Sequence, residues 1–237
     1  MCRIFAVRST KPLNVRPAFD RLRALASEHK DGWGIATFRE TGRLVERNTE
    51  SAETSSRFDA LGSEAASSML VHIRLASVGT VHERNNHPFT AGPWVFMHNG
   101  TLKNFESHRA KFEAQIEPKI FSELTGETDS ERCFALFRTH LGDSNDVAGA
   151  LTRMFRSAEA LCDDATEGKR SAMNFLVGDG RRFWATRRDR TLFAVSTPTL
   201  VAIASEPLLP DVPWQEVPQD SLVEIDEQLQ LSMRPIP

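Results

Sequence analysis

The sequence predicts an α+β fold of two antiparallel sheets with helices packed outside them. Three observations predict it: strand-like runs occupy the first hundred or so residues, helical periodicity fills the middle, and short strand-like runs return after Lys169. Strands gathered on either side of a helical block favour antiparallel sheets over an alternating parallel one. No linker composition, internal repeat or low-complexity tract interrupts the chain, so one domain over residues 1–237 is expected.

Residues 2–8 (CRIFAVR) suit a strand, with no helix cap ahead of them. Residues 17–28 read as a helix, because Pro17 fits the first helical position and Phe19, Leu22, Leu25 and Ala26 share one face. Gly32-Trp33-Gly34 ends that pattern, and 35–38 and 44–47 form a hairpin across Thr41-Gly42. Residues 49–68 turn small and acidic, which suits a loop with one short helix. Apolar strands follow at 69–74 and 94–98, separated by a long polar loop of the kind that more often serves function than idles. Helices are expected at 104–114, 129–141 and 146–161, the second opened by Thr128-Asp129-Ser130-Glu131, a capping box. Strands at 172–177, 183–187, 191–195, 200–204 and 222–225 complete the pattern. Asp179-Gly180 turns the first pair, and the prolines of 206–218 mark an irregular connection.

With 40% hydrophobic and 26% charged residues and a net charge of −3, the 237-residue chain has the balance of a globular protein and not of a nucleic-acid binder. It lacks the roughly 18 consecutive apolar residues of a spanning helix, so no membrane partner is expected. Arg3, Arg8 and Lys11 interrupt any signal core, and a cytoplasmic location is expected. Three cysteines, Cys2, Cys133 and Cys162, are too few and too scattered for a disulfide framework or a zinc site, and no metal or organic cofactor is implied.

Cys2 follows an initiator that aminopeptidases remove when the next side chain is small. Removal of Met1 puts a thiol and a free α-amine on one residue. The amine, with a pKa of about 7.7–8.0, is partly neutral at pH 7 and can take the proton of a thiol near 8.5. A cysteine on an apolar strand equally suits a core position. In His98-Asn99-Gly100, Asn-Gly suits a plain turn, but an Asn amide and a Gly N–H pointing into one space would also hold the oxyanion of a tetrahedral intermediate, with glycine admitting the substrate. Arg74 ends an apolar strand, as a solvated rim residue or as a fork for a substrate carboxylate. Asp129 opens a helix, as a dipole-friendly surface acid or as the partner of a substrate ammonium. His72, His87 and His98 read as structural, and Cys133 and Cys162 as inert helix-face residues.

In order along the chain, these segments resemble the class II glutamine amidotransferases, whose nucleophile is an N-terminal cysteine. MCRIFAV (1–7) resembles the opening of stand-alone members, and DGWGIA (31–36) the glycine-bearing segment after the first helix. HIRLAS (72–77), NNHPF (85–89), HNGTL (98–102) and ETDSE (127–131) are similar to further family segments, as is ASEPL (204–208) with Trp214 downstream. The resemblance implies the four-layer αββα sandwich of N-terminal nucleophile hydrolases. It implies Cys2 as nucleophile and its α-amine as base, with the Asn99 side chain and Gly100 N–H as the oxyanion hole. Arg74 would bind the α-carboxylate of a glutamine or γ-glutamyl group and Asp129 its α-amine, while Ser77 and His87 match positions that shape the pocket. Leu75 departs from the family, standing where Trp is frequent.

The activity so implied is hydrolysis of the γ-amide of glutamine or a γ-glutamyl conjugate through a cysteinyl thioester, releasing ammonia or an amine and glutamate. No second catalytic domain that would consume ammonia is expected in this chain. Two alternatives remain at this level: an ammonia-supplying subunit of a separate synthase, and a non-catalytic amino-acid sensor using Arg74 and Asp129 alone. A chain retaining Met1 has an amide nitrogen at Cys2, without a basic lone pair, and is expected to be inactive.

Overall fold

The computed structural model describes residues 2–39, 41–164, 166 and 168–237, so Met1, on which the expected processing turns, lies outside the described residues. In chain order the elements are β1 (Arg3–Leu13), α1 (Arg16–Leu25), β2 (Trp33–Arg39), β3 (Gly42–Asn48), α2 (Ser56–Gly62), β4 (Ala66–Ile73), a 3₁₀ turn (Glu83–Asn85), β5 (Phe89–Ala91) and β6 (Trp94–Thr101). There follow α3 (Phe105–Glu113), α4 (Pro118–Phe121), α5 (Asp129–Leu141), α6 (Val147–Cys162), β7 (Ala172–Gly178), β8 (Phe183–Arg187), β9 (Phe193–Ser196), β10 (Leu200–Ala204), β11 (Gln215–Glu216), β12 (Ser221–Ile225) and β13 (Leu231–Pro235). Among the described residues the strands form a seven-stranded sheet, β11-β9-β10-β1-β4-β2-β3, and a six-stranded sheet, β13-β12-β8-β7-β6-β5.

Alternation along the central strands explains the layering. In β1, Phe5 and Val7 pack with Val15, Ala18, Phe19 and Leu22 on the α1 and α2 side. Ile4 and Ala6 point the other way and meet Val95, Met97, Leu176 and Val223 of the second sheet. In β6, Phe96 faces the α5 and α6 side, with Phe134, Leu151 and Phe155. Side chains two apart share a face, so strands apolar on both faces bind a helix layer and a sheet layer at once. Three apolar cores therefore stack between four layers, and the molecule is an αββα sandwich. Fully burying one such Phe or Leu contributes about 1.5–3 kcal/mol.

β1 lies inside the seven-stranded sheet, pairing Phe5 with Ala204 of β10 and with Val71 of β4. The register Arg3↔Ile73 brings the residue before β1 beside the residues after β4. A one-residue slip would displace Cys2 by about 3.3 Å. Helix α5 starts where its cap predicts: Thr128 Oγ1 accepts from Glu131 N–H at 3.2 Å. The reciprocal half of the capping box is absent, because the Glu131 carboxylate instead accepts from Thr125 N–H at 3.0 Å and Gly126 N–H at 2.9 Å. Helix α1 ends earlier than its apolar face suggests, and β1 runs on to Leu13. The short elements α4, β5 and β13 add to the pattern read from sequence. No helix among the described residues is long and apolar enough to cross a membrane.

Candidate active site

Cys2 precedes β1 and is partly exposed; its Sγ lies 3.4 Å from the Leu75 N–H, which points to it, and 3.5 Å from Leu75 O. The chain after β4 is held for this contact by the loop before β2. Arg74 N–H donates to Gly32 O at 2.8 Å, Asp31 N–H to Arg74 O at 3.2 Å, and Ala76 N–H to the Asp31 carboxylate at 2.7 Å. Gly32 has φ +116°, and a Cβ there would stand 2.4 Å from Asn48 O, so the glycine is required by both backbone conformation and space.

Two adjoining cavities share Cys2, Leu75, Ser77 and Gly100. The larger, about 150 Å³, is completed by Ala76, Asn99, Thr101 and Arg190. The smaller, about 20 Å³, reaches Arg74, His87, His98, Thr128 and Asp129. The structure thus brings together all seven residues that the sequence singled out: Cys2, Arg74, Ser77, His87, Asn99, Gly100 and Asp129.

Arg74 is 3% exposed, which removes it from the rim. Its guanidinium donates to Thr80 O at 3.1 Å, Asn86 Oδ1 at 3.2 Å and Val78 O at 3.1 Å, all neutral acceptors. Burial lowers its pKa from the ordinary value, with Cys2, Asp31 and Glu127 opposing from a distance. The NNHP segment braces it, since Asn86 also donates to Asn48 O at 2.8 Å, and Asn85 donates to Thr80 O at 3.0 Å and accepts from Glu127 N–H at 2.9 Å. Asp129 is 2% exposed, and its oxygens accept from Leu102 N–H and Ser130 N–H, both at 2.8 Å. These contacts hold a buried carboxylate and a buried guanidinium beside one cavity.

Burial pushes the Cys2 thiol above its ordinary value, while the Leu75 N–H and the Arg74 cation pull it back. Cys133 and Cys162 are fully buried, and burial raises Cys133 well above the ordinary range and pushes Cys162 up to about 12. Cys2 is therefore the cysteine with both a cavity beside it and groups that favour its anion.

Asn99 and Gly100 lie on β6, opposite Asn174 and Met173 of β7. Glycine at 100 is required by its neighbours, since a Cβ would fall 1.9 Å from Ala172 O and 2.5 Å from His98 Nε2. The Asn99 amide nitrogen donates to Ser205 Oγ at 3.1 Å, and its buried Oδ1 has no partner among the described residues. His98 is structural as expected, pairing with Ser130 Oγ and Ala172 O, both at 2.9 Å. His72 approaches His98 O with Nε2 at 3.4 Å, whereas both ring nitrogens of His87 are buried without a hydrogen-bond partner among the described residues. The His72 and His87 rings stack 4.2 Å apart. Burial holds all three neutral, lowering His72 to about 3. Ser77 Oγ is 2.8 Å from Thr101 Oγ1 across the larger cavity's lining.

Sequence reasoning missed Arg190, Thr101 and Ser205. The first two line the larger cavity, and Asn174 donates to Arg190 O at 3.1 Å, fixing that loop. Nothing local distinguishes Arg190 in its run of arginines. Ser205 was within reach, since it belongs to the ASEPL segment.

Known proteins resemble this chain at both levels. It is 26% identical to the Saccharomyces cerevisiae protein named probable glutamine amidotransferase DUG3, over 96% of this chain and 82% of that one. It is 28% identical to the γ-glutamyl-hercynylcysteine sulfoxide hydrolase of Mycolicibacterium smegmatis, over 82% of this chain and 77% of that one. The fold is shared with a glutamine aminotransferase class-II domain protein from Silicibacter pomeroyi, at a TM-score of 0.74 and 22% identity over the whole of both chains. It is also shared with the glutamine phosphoribosylpyrophosphate amidotransferase of B. subtilis, at a TM-score of 0.73 and 14% identity over all of this chain and 49% of that one. The profile of the class-II glutamine amidotransferases matches residues 1–199, a span that holds Cys2, Arg74, Asn99, Gly100 and Asp129, and the chain belongs to that family.

Proposed function

We propose that the protein is an amidohydrolase acting on the γ-amide of a γ-glutamyl conjugate or of glutamine through a thioester on Cys2. The observation that carries this reading is one cleft in which Cys2 meets a buried cation, Arg74, on one side and a buried carboxylate, Asp129, beside it. An α-carboxylate and an α-ammonium match those two charges, and their fixed positions leave the γ-carbonyl to reach the sulfur. The thiolate adds to the carbonyl carbon, and the oxyanion so formed takes hydrogen bonds from Asn99 and the Gly100 N–H. The Cys2 α-amine, free once Met1 is removed, accepts the thiol proton and passes it to the leaving nitrogen as the C–N bond breaks. Water then attacks the thioester, giving glutamate and restoring the thiol. Ser77 and His87 shape the cleft, and the neutral His87 ring adds no charge to it.

The size of the larger cavity supports a substituted amide. At about 150 Å³ it exceeds by roughly tenfold what a single water-sized guest needs. Leu75, at the position where the resemblance implies a bulkier Trp, is 37% exposed and lines it. The relative named as a γ-glutamyl-hercynylcysteine sulfoxide hydrolase fits this reading. An ammonia-supplying role beside a separate synthase is the second reading. It draws on the match to the Gluconobacter oxydans glutamine–fructose-6-phosphate aminotransferase, of which this chain covers 31%.

The test measures glutamate released from glutamine and from γ-glutamyl amides of larger amines, together with the intact mass of the purified protein. Loss of activity by at least about 10⁴-fold is expected in Cys2→Ala, with Met1 absent from the active form. Equal rates in Cys2→Ala and wild type would end the proposal.

A further inference from the structure

Ser205 follows β10, outside the span matched by the family profile, and ties together parts of the cleft far apart in sequence. Its N–H donates to Ile4 O at 3.0 Å, and its Oγ accepts from Ile4 N–H at 3.0 Å. The side chain thereby carries the β1–β10 ladder one rung past the end of β10, two residues from Cys2. The same oxygen, on a side chain 2% exposed, accepts from Asn99 Nδ2 of the other sheet at 3.1 Å. One hydroxyl thus touches both the strand that carries the thiol and the amide beside it.

The hydrogen-bond count there does not close. A hydroxyl has one proton to give, and among the described residues that of Ser205 has no acceptor, whereas Asn99 Oδ1 is buried and has no donor. The unmet donor and the unmet acceptor sit on touching side chains. Turning the Asn99 amide over about its terminal bond exchanges Oδ1 and Nδ2 at constant shape. Ser205 Oγ–H then donates to Oδ1, its oxygen still accepts from Ile4, and both N–H bonds of Asn99 are released. We infer that Ser205 is a positioning residue whose hydroxyl proton holds Asn99 Oδ1 and frees Nδ2, on a side chain of the cavity lining, to donate to an oxyanion formed at Cys2. In that orientation the buried acceptor and the hydroxyl proton satisfy each other, and the unpaired groups that remain are two amide N–H bonds, which an oxyanion would meet.

This inference rests on the thioester reading above, and its test compares two reactions at one sulfur. γ-Glutamyl amide hydrolysis passes through a tetrahedral oxyanion. Iodoacetamide does not: the thiolate forms an S–C bond as iodide departs, and the proton goes to buffer. In Ser205→Ala, kcat is expected to fall about 10- to 100-fold, short of the loss of a whole oxyanion donor, with KM within about threefold. Alkylation of Cys2 is expected to stay within about twofold of wild type, because that reaction makes no oxyanion for a donor to stabilise. Ser205→Thr, which keeps the hydroxyl, restores most of the loss, and on an Asn99→Ala background Ser205→Ala costs nothing more. If alkylation and hydrolysis fall together, Ser205 merely holds β1 in place and the inference is wrong; an unimpaired kcat sinks it as well. Ser205→Cys, similar in size and a weak donor, carries the same comparison where the alanine variant does not fold. A wild type that releases no glutamate overturns the thioester reading and this inference with it, whereas an active wild type beside an equally active Ser205→Ala overturns this inference alone.

Discussion

Arg74 and Arg188 are equally hidden from water, each 3% exposed, yet their surroundings are opposite. Arg188 is neutralised by its own chain: Glu159 at 2.6 Å, Asp220 at 2.7 Å and Asp163 at 3.3 Å surround its guanidinium, which also lies 4.4 Å from the centre of the Phe155 ring. Burial alone would lower Arg188, but the bonds to Asp220 and Glu159 outweigh it and the net shift is upward. Arg74 meets only neutral oxygens, and its net shift is downward. A buried cation given three carboxylates stabilises a fold. One given none carries a standing desolvation cost, which an anionic ligand relieves. Asp129 makes the same point with the sign reversed, being buried and bonded only to N–H and O–H donors. The difference separates charges neutralised within the fold from charges left without an ionic partner, the latter being those the proposed function assigns to substrate.

Substitution can break that comparison. The largest effect is expected at Arg74→Gln, where kcat/KM for γ-glutamyl substrates should fall by about 2–5 kcal/mol, roughly 30- to several-thousand-fold, from loss of a desolvated charge pair. Thermal stability should hold or rise, and a clear loss of stability with unchanged kcat/KM would refute the distinction. Arg188→Gln should do the reverse. Breaking a buried ion pair costs about 3–5 kcal/mol, and the partly exposed carboxylates here reduce that to about 2–3 kcal/mol, read by denaturant unfolding, with activity per folded molecule retained.

The histidines sharpen the comparison with groups that avoid the problem by remaining uncharged. His72, His87 and His98 have folded pKa values below the ordinary value, His72 at about 3. Their unfolded forms therefore bind protons first as pH falls, so stability is full above about pH 6.5 and is lost between there and the folded value, at about 1.4 kcal/mol per pH unit for each titrating ring. Unfolding free energies measured from pH 7 to 5 should show that slope, and His72→Gln should reduce it by one proton. An unchanged slope would mean the ring is protonated in the fold.

What was legible in the sequence follows the range of the interactions involved. The α5 cap and the strand character of β1 are local, and each lies where its pattern places it. Asn99-Gly100, whose dipeptide suits a turn just past the strand expected at 94–98, instead lies within β6 and pairs with Asn174 and Met173 of β7. β13 escaped notice because it is a short edge strand whose apolar face is only Leu231 and Met233, both partly exposed, too little for alternation to mark it. β5 spans three residues and α4 four, too few for any periodicity. The crowding that requires glycine at 100 was not legible because the atom concerned, Ala172 O, comes from a strand 72 positions on. The roles of Arg190 and Ser205 depend on chain segments that meet only in the folded sandwich: Arg190 has no distinguishing neighbour, and the ASEPL segment marks Ser205 without showing what its hydroxyl touches.

The strand that carries Cys2 has a neighbour on each edge and an apolar layer on each face. Chain ends usually fray first, but one woven into the middle of a sheet can open only when the sheet does. The backbone amides of Ile4 to Val7 should then exchange with deuterium only by whole-molecule unfolding, and the Cys2 sulfur just ahead of them stands on a support that moves only with the sheet.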